Sequence, residues 1–187
     1  MNLVDRVKNI LLTPKTEWLV IEAEATDVKS LYMNYIMILA AIPAIAGIIG
    51  MLFLTFAGWA VGYAIAQYIL TLVMIYLVAL LINALAPTFG GTKSQINALK
   101  LVAYSATAGW VASVAMVIPV LGAIVALVGS LYGIYLLYLG LPVMMKCPQE
   151  MVIPYLVVTI VIWILLSWVF MGLLASRMFL PMMGGMR

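Results

Sequence analysis

Long apolar segments separated by short polar ones dominate this chain of 187 residues. The 63 residues between Lys29 and Lys93 carry no formal charge, and neither do the 45 residues from Leu101 to Met145. Both runs exceed the roughly 20 apolar residues with which a helix crosses a bilayer. They are continuously apolar rather than alternating with period two, which argues against a membrane β-barrel. The pattern therefore predicts an all-α, polytopic membrane protein.

Turn signals divide the apolar runs into five predicted transmembrane helices. The predicted spans are about 31–54, 60–86, 96–118, from a turn at 119–122 to about 145, and 154–174. Short turns at 55–59 and 119–122 make two tight hairpins, which the fifth helix closes. We therefore expect an N-terminal segment 1–30, a transmembrane domain 31–174 and a short tail 175–187. Pro43 lies mid-span and predicts a kink, because neighbouring helices can satisfy the carbonyl that it frees.

The segment before the first span is amphipathic. Apolar residues at 3, 4, 7, 10 and 11 fall on one stripe of a helix over 2–12, and charged residues occupy the other side. Two interpretations stay open: the helix lies flat in the headgroup region, or its stripe packs on the protein's own bundle. Thr13 and Pro14 predict the N-cap and first residue of a second helix. In that helix Trp18 suits the membrane–water interface.

Composition narrows the function. The chain is 67% hydrophobic and 8% charged, against about 25% charged in a soluble domain. With no His and one Cys, an intrachain disulfide, a Cys/His zinc set and a His general base are all excluded. The predicted spans hold no Asp, Glu, His or Arg, and Lys100 is expected to snorkel to the interface. This argues against a proton relay or an ion-coupled transporter. We expect no enzyme activity, cofactor or metal.

The distribution of Lys and Arg predicts the orientation. With five spans, seven of the nine lie on the same side of the membrane as the N-terminus, and only Arg177 and Arg187 lie on the other side. The predicted N-terminus is therefore cytoplasmic and the C-terminus outside, in the cell's inner membrane. The sequence pI of about 9.0 reflects this orientation and not nucleic-acid binding.

The longest polar interruption, Pro87 to Tyr104, is the most specific stretch. Gly90 and Gly91 predict a flexible turn, and Ser94 a cap for the following helix. The basic groups beside the cap either meet lipid phosphates or an acidic partner, or merely set the topology of a hairpin connector. The candidate residues for lipid or partner binding are Lys93, Ser94, Gln95, Lys100, Tyr104 and Trp18.

Small and polar residues inside the spans form a second candidate set. Gly58 with Gly62 and Gly129 with Gly133 are GxxxG pairs, continued by small residues in the third span, that pack helices within one chain or drive self-association. The aromatic stripe of the fourth span either packs in the core or lines a lipid-accessible groove; its members are Tyr132, Tyr135 and Tyr138. The other polar groups at membrane depth are expected to bond between helices; they are Gln67, Asn83, Tyr104, Ser105, Thr107, Ser113, Ser130, Thr159 and Ser167.

Three segments together resemble the Yip (Ypt-interacting protein) family in its bacterial branch. They are Gly90-Gly91 with Ser94-Gln95, 99–105 and Trp110-Val111; Tyr138 to Lys146; and Pro14 to Trp18. The resemblance implies five transmembrane helices and a cytoplasmic N-terminus. Eukaryotic relatives are linked to Rab-type GTPases, vesicle trafficking and lipid movement. This chain lacks their Asp-Leu-Tyr-Gly-Pro element, of which only Leu31-Tyr32 is similar, so Rab binding is not expected.

The sequence favours a non-enzymatic membrane scaffold or membrane-organising protein. Its expected partners are the lipid bilayer and a second copy of the chain or another membrane protein. The alternative is a passive small channel, transporter or lipid scramblase, which the kinking Pro43, the hydroxyl set and the tyrosine stripe motivate.

Overall fold

The computed structural model describes the backbone of residues 2–52 and 57–184, and the side chains of 2–50, 61–118 and 120–172. Within these ranges the chain is helical and has no strand. The helices are α1 (Leu3–Leu12), α2 (Pro14–Ala23), α3 (Val28–Leu31), α4 (Met37–Leu52), α5 (Ala57–Leu85), α6 (Gln95–Ala112), α7 (Pro119–Met144) and α8 (Val152–Gly184). A π-helical segment, Tyr32–Ile36, joins α3 to α4.

Five segments are long and apolar enough to cross a membrane, which confirms the predicted number. They are Val28–Gly50, Val61–Phe89, Gln95–Val117, Val120–Met144 and Gln149–Gly172. The third span is the centre of the bundle, because 56% of its apolar window is buried against 17–33% for the other four. Helix α6 packs most extensively on α7, while α5 packs on α4 and α6, and α8 closes the bundle against α5 and α7.

Local chemistry explains most helix ends. The Asn2 side chain caps α1 by accepting from the Asp5 amide at 2.8 Å. Thr13 precedes a proline and leaves the helical region, so α1 ends there and α2 begins at Pro14. The chain continues through Pro43 inside α4.

Some predicted boundaries differ from the structure. Pro119 and Gly122 begin α7 rather than form the turn, since the chain reverses in the 3₁₀ segment Ser113–Val117. The predicted turn at 55–59 falls partly outside the described residues, and 57–59 belong to α5. Helix α8 continues to Gly184, so most of the predicted tail is helical.

Helices α1 and α2 pack against α6 and α7, at the end of the bundle where the spans at 95–117 and 120–144 start and finish. We call this end the N-terminal face. Ile10 is fully buried, and Leu3, Val7 and Leu11 pack partly buried on the core. Four of the five stripe residues of α1 therefore lie on the bundle, as the second of the two open interpretations has it, while Val4 is 72% exposed.

Candidate functional site

A buried ion cluster holds α1 to α2. Arg6 is only 4% exposed; its Nη1 donates to Glu17 Oε1 at 2.5 Å and its Nη2 donates to the Glu24 carboxylate. The guanidinium carbon also lies 5.7 Å from the centre of the Tyr104 ring, a cation–π distance. An unpaired charge at this depth would be costly, and the two carboxylates offset that cost.

Lys100 completes this cluster from α6. Its Nζ donates to the backbone carbonyls of Ile21 at 2.8 Å and Glu24 at 2.5 Å. These two carbonyls lie at the C-terminal end of α2, where carbonyls lack intrahelical donors and the helix dipole is negative. Lys100 therefore caps the C-terminus of α2. The expectation that it is exposed for lipid phosphates is wrong, because the residue is 3% exposed.

Tyr132 acts on α1 in the same way. Its hydroxyl donates to the carbonyl of Leu11, in the last turn of α1, at 2.7 Å. The other two tyrosines of the stripe have different surroundings. Tyr135 is 41% exposed with its ring 5.5 Å from that of Tyr132, and the Tyr138 hydroxyl accepts from the Gln149 amide at 3.3 Å.

The side chains of Trp18 and Tyr104 are buried inside the protein. Trp18 is fully buried, with its ring edge-to-face on Tyr104 at 6.3 Å. A Cβ on Gly140 would lie 2.8 Å from the Trp18 ring, so α2 packs directly on the backbone of α7. The ring of Tyr35 also packs on Tyr104, tilted by 57° with the ring centres 4.5 Å apart, and its hydroxyl shares a 2.7 Å hydrogen bond with Thr107. The ring of Trp18 therefore packs inside the protein and does not face headgroups, contrary to the lipid- or partner-binding role predicted for it.

A polar pocket of about 250 Å³ opens beside the ion cluster. The π-helical segment Tyr32–Ile36 contributes to its wall, and such segments recur at functional sites. Its polar lining comes from the N-terminal segment, the π-helical segment and α6. The lining residues are Asn2, Leu3, Arg6, Glu24, Thr26, Ser30, Leu31, Asn34, Tyr35 and Tyr104.

A second cavity, of about 300 Å³, lies inside the bundle between α5, α6, α7 and α8. Its walls are apolar apart from three hydroxyls and two indoles. Ser130 donates its hydroxyl to the carbonyl of Ala126 at 2.8 Å, but the buried hydroxyls of Ser105 and Thr159 have no partner. The lining residues are Ile75, Val78, Ile82, Val102, Ser105, Ala106, Gly109, Trp110, Ser130, Gly133, Ile134, Leu137, Thr159, Ile160 and Trp163.

A model of the Yip1 domain matches residues 8–185. The chain belongs to the Yip1 domain family. The match covers the ion cluster apart from Arg6, the polar interruption and all five spans, and it confirms the family resemblance of the sequence. Comparison with curated proteins and with solved structures gives no match.

Within this Yip1 domain, residues 90–97 of the polar interruption are hydrogen-bonded to the end of α7, and we call this segment the latch. Gly90 adopts the left-handed conformation (φ 69°), and the amide of Thr92 donates to the carbonyl of Met145 at 2.7 Å. A Cβ on Gly91 would lie 2.7 Å from that same carbonyl oxygen. The side-chain amide of Asn97 donates a further hydrogen bond to the carbonyl of Met144 at 3.2 Å. The segment from 90 to 97 therefore fixes the end of α7.

Three predicted site residues lie along the latch. Ser94 is the N-cap of α6, as expected, and its hydroxyl accepts from the backbone amide of Asn97 at 3.4 Å. Gln95 is the first residue of the helix, also as expected. Gln95 has buried side-chain atoms without a partner. Lys93 is exposed and remains available to headgroups or a partner.

The two GxxxG pairs have different surroundings. A Cβ on Gly129 would lie 2.3 Å from the Cβ of Ala112, and one on Gly133 would lie 2.9 Å from the carbonyl of Ser105. These glycines bring α6 and α7 together within one chain. Nothing lies within 4 Å of a Cβ placed on Gly62, while the surroundings of Gly58 fall outside the described residues.

Proposed function

We propose that this Yip1-domain protein is a non-enzymatic membrane-organising protein that gathers anionic lipid at its N-terminal face. One observation carries the proposal. Helices α1 and α2 are fixed to the spans by the Arg6 cluster and by Tyr132, yet they expose apolar and basic side chains together. Val4, Leu12, Leu19 and Val20 are 51–72% exposed, and Lys8 and Lys15 of the same helices are exposed too. Lys93, in the polar segment just before α6, adds a third exposed lysine at this face.

This combination of residues suits the headgroup region. Exposed apolar side chains beside lysines favour an interface in which the hydrocarbon boundary takes the first and anionic headgroups the second. In this proposal the face is cytoplasmic, in the inner membrane, as the excess of Lys and Arg at that end suggests. Each lysine near an anionic surface contributes about 1 kcal/mol.

Energy transfer from the protein's tryptophans to labelled lipid tests the proposal. In nanodiscs of mixed lipid, transfer to dansyl-phosphatidylglycerol should exceed transfer to dansyl-phosphatidylcholine. The triple variant K8Q/K15Q/K93Q should lose that excess while keeping its melting temperature. Asp5→Asn, which removes an exposed acid from the same helix, should increase it. An excess that the triple variant keeps in full would refute the proposal.

A passive channel, transporter or scramblase is the second candidate, because the cavity between α5 and α8 brings hydroxyls to membrane depth. Liposomes containing the purified protein should then show ion flux or lipid scrambling above empty vesicles. Filling the cavity with Gly109→Leu should abolish that flux. Flux equal to the empty control in correctly inserted protein would rule this candidate out.

A further inference from the structure

The cavity between α5, α6, α7 and α8 contains two buried hydroxyls that the protein leaves unsatisfied. Ser105 is 6% exposed and Thr159 is 4% exposed, and neither hydroxyl has a hydrogen-bond partner. A hydroxyl in a helix ordinarily donates to the carbonyl four residues earlier. Thr107 in the same helix does so, to Ala103 at 3.3 Å, and Ser130 does so across the cavity. The two unpaired hydroxyls therefore stand out within one cavity.

The walls define the charge of an occupant. Every lining residue is apolar, aromatic, glycine, serine or threonine, so the cavity presents no ionisable group. A charged ligand would be buried there without a counter-ion, at a cost that membrane interiors rarely sustain. An occupant must therefore be neutral, with a hydrocarbon body for the apolar wall.

The depth of the cavity in the membrane and the direction of its mouth narrow the class of occupant further. Ser105 lies ten residues after the start of α6, which is about 15 Å at 1.5 Å per residue and about half of a 30 Å hydrocarbon core. Ile134 and Trp163 line the cavity and are 36% and 51% exposed, so its mouth faces the lipid. A phospholipid chain at this depth has no polar atom to offer the hydroxyls.

We infer that this cavity binds a neutral, lipid-soluble carbonyl compound of the quinone type, whose carbonyl oxygens accept from Ser105 and Thr159. The volume of about 300 Å³ is at the lower end for small-molecule sites. It suits a single ring with its tail left in the lipid. Trp110 and Trp163 line the cavity and supply aromatic contacts for that ring. The inference rests on the cavity alone and is independent of the anionic-lipid surface.

Saturable quenching of tryptophan fluorescence tests the inference on the full chain in nanodiscs. The probe is a decyl-substituted benzoquinone, and decylbenzene, which lacks carbonyls, is the matched control. The quinone should quench saturably and raise the melting temperature, whereas decylbenzene should do neither. Ser105→Ala and Thr159→Val should each weaken quinone binding by about three- to tenfold.

The stability of the variants without ligand separates binding from structure. Because neither hydroxyl has a protein partner, both variants should melt at or above the wild-type temperature. Gly109 lines the cavity, and no atom lies within 4 Å of a Cβ placed on it. A leucine side chain at this position therefore has room to fill the cavity, so Gly109→Leu should block binding. Quinone binding that the hydroxyl variants leave unchanged, or equal saturation by decylbenzene, would overturn the inference. So would a lower melting temperature of both variants with no effect on binding.

Discussion

Replacing Lys100 by Met tests whether its charge is structural. Its ammonium donates to two carbonyls at the end of α2, at 2.8 and 2.5 Å. The change leaves both carbonyls unpaired and leaves the carboxylates of the cluster in excess over the one remaining cation, Arg6. Breaking a buried ionic cluster in this way costs about 3–5 kcal/mol. Because the Glu24 side chain is 44% exposed and water screens part of its charge, we expect the lower end, about 3 kcal/mol.

The assay is unfolding of the purified protein in mixed micelles with increasing sodium dodecyl sulfate, followed by far-ultraviolet circular dichroism. Lys93→Met is the matched control, since Lys93 is exposed on the same polar segment and surface changes usually stay within about 0.5 kcal/mol. Equal, small effects of the two changes would refute the reasoning. They would place the Lys100 ammonium in water or among headgroups, as the sequence pattern alone predicts.

Three other changes test packing and electrostatics. Gly129→Ala should destabilise the same unfolding equilibrium by about 1–3 kcal/mol, because the new methyl meets Ala112; Gly62→Ala, with open space, should raise stability slightly. Burial raises the pKa of the Cys147 thiol above its ordinary value of 9.0 and leaves the residue only 5% exposed, so maleimide labelling at neutral pH should be slower in folded than in unfolded protein. The hydrogen bond and the charge of Lys146 lower the pKa of Glu22 below 4.5. Its stabilising contribution should be complete above that pH and lost as the pH falls through the lower folded value, and a melting-temperature profile of Glu22→Gln should lack this loss.

The spans could be predicted because membrane length is a local property of sequence. An uncharged run of sufficient length has no alternative to a helix in lipid, so the number and approximate bounds follow without any tertiary contact. The same reasoning misplaced the turn near Pro119. A proline after apolar residues suits both a turn and the first residue of a helix, and the choice depends on how α4 packs against 113–117.

The roles of Lys100 and Trp18 could not be predicted because their partners are distant in the chain. Lys100 bonds across 79 and 76 residues to Ile21 and Glu24, and no periodicity connects those positions. Each residue type also has a familiar interfacial role in membranes, so the general rule outweighed the particular contact. The sequence did contain one signal for the ion cluster, which is Arg6. In a chain with only 8% charged residues, an arginine followed by Glu17 and Glu24 is a candidate for internal ion pairs.

The structure changes where recognition is to be sought. Arg6, Glu17 and Lys100 are taken up by internal bonds, and Trp18 and Tyr104 by packing, so five of the polar or aromatic residues near the N-terminal face are structural. The groups left for ligands differ in kind and in depth. Exposed lysines at the N-terminal face suit anionic headgroups, whereas the unpaired hydroxyls of Ser105 and Thr159 suit a neutral molecule arriving through the lipid. Since the two sites share no residue, losing one by mutation should leave the other intact.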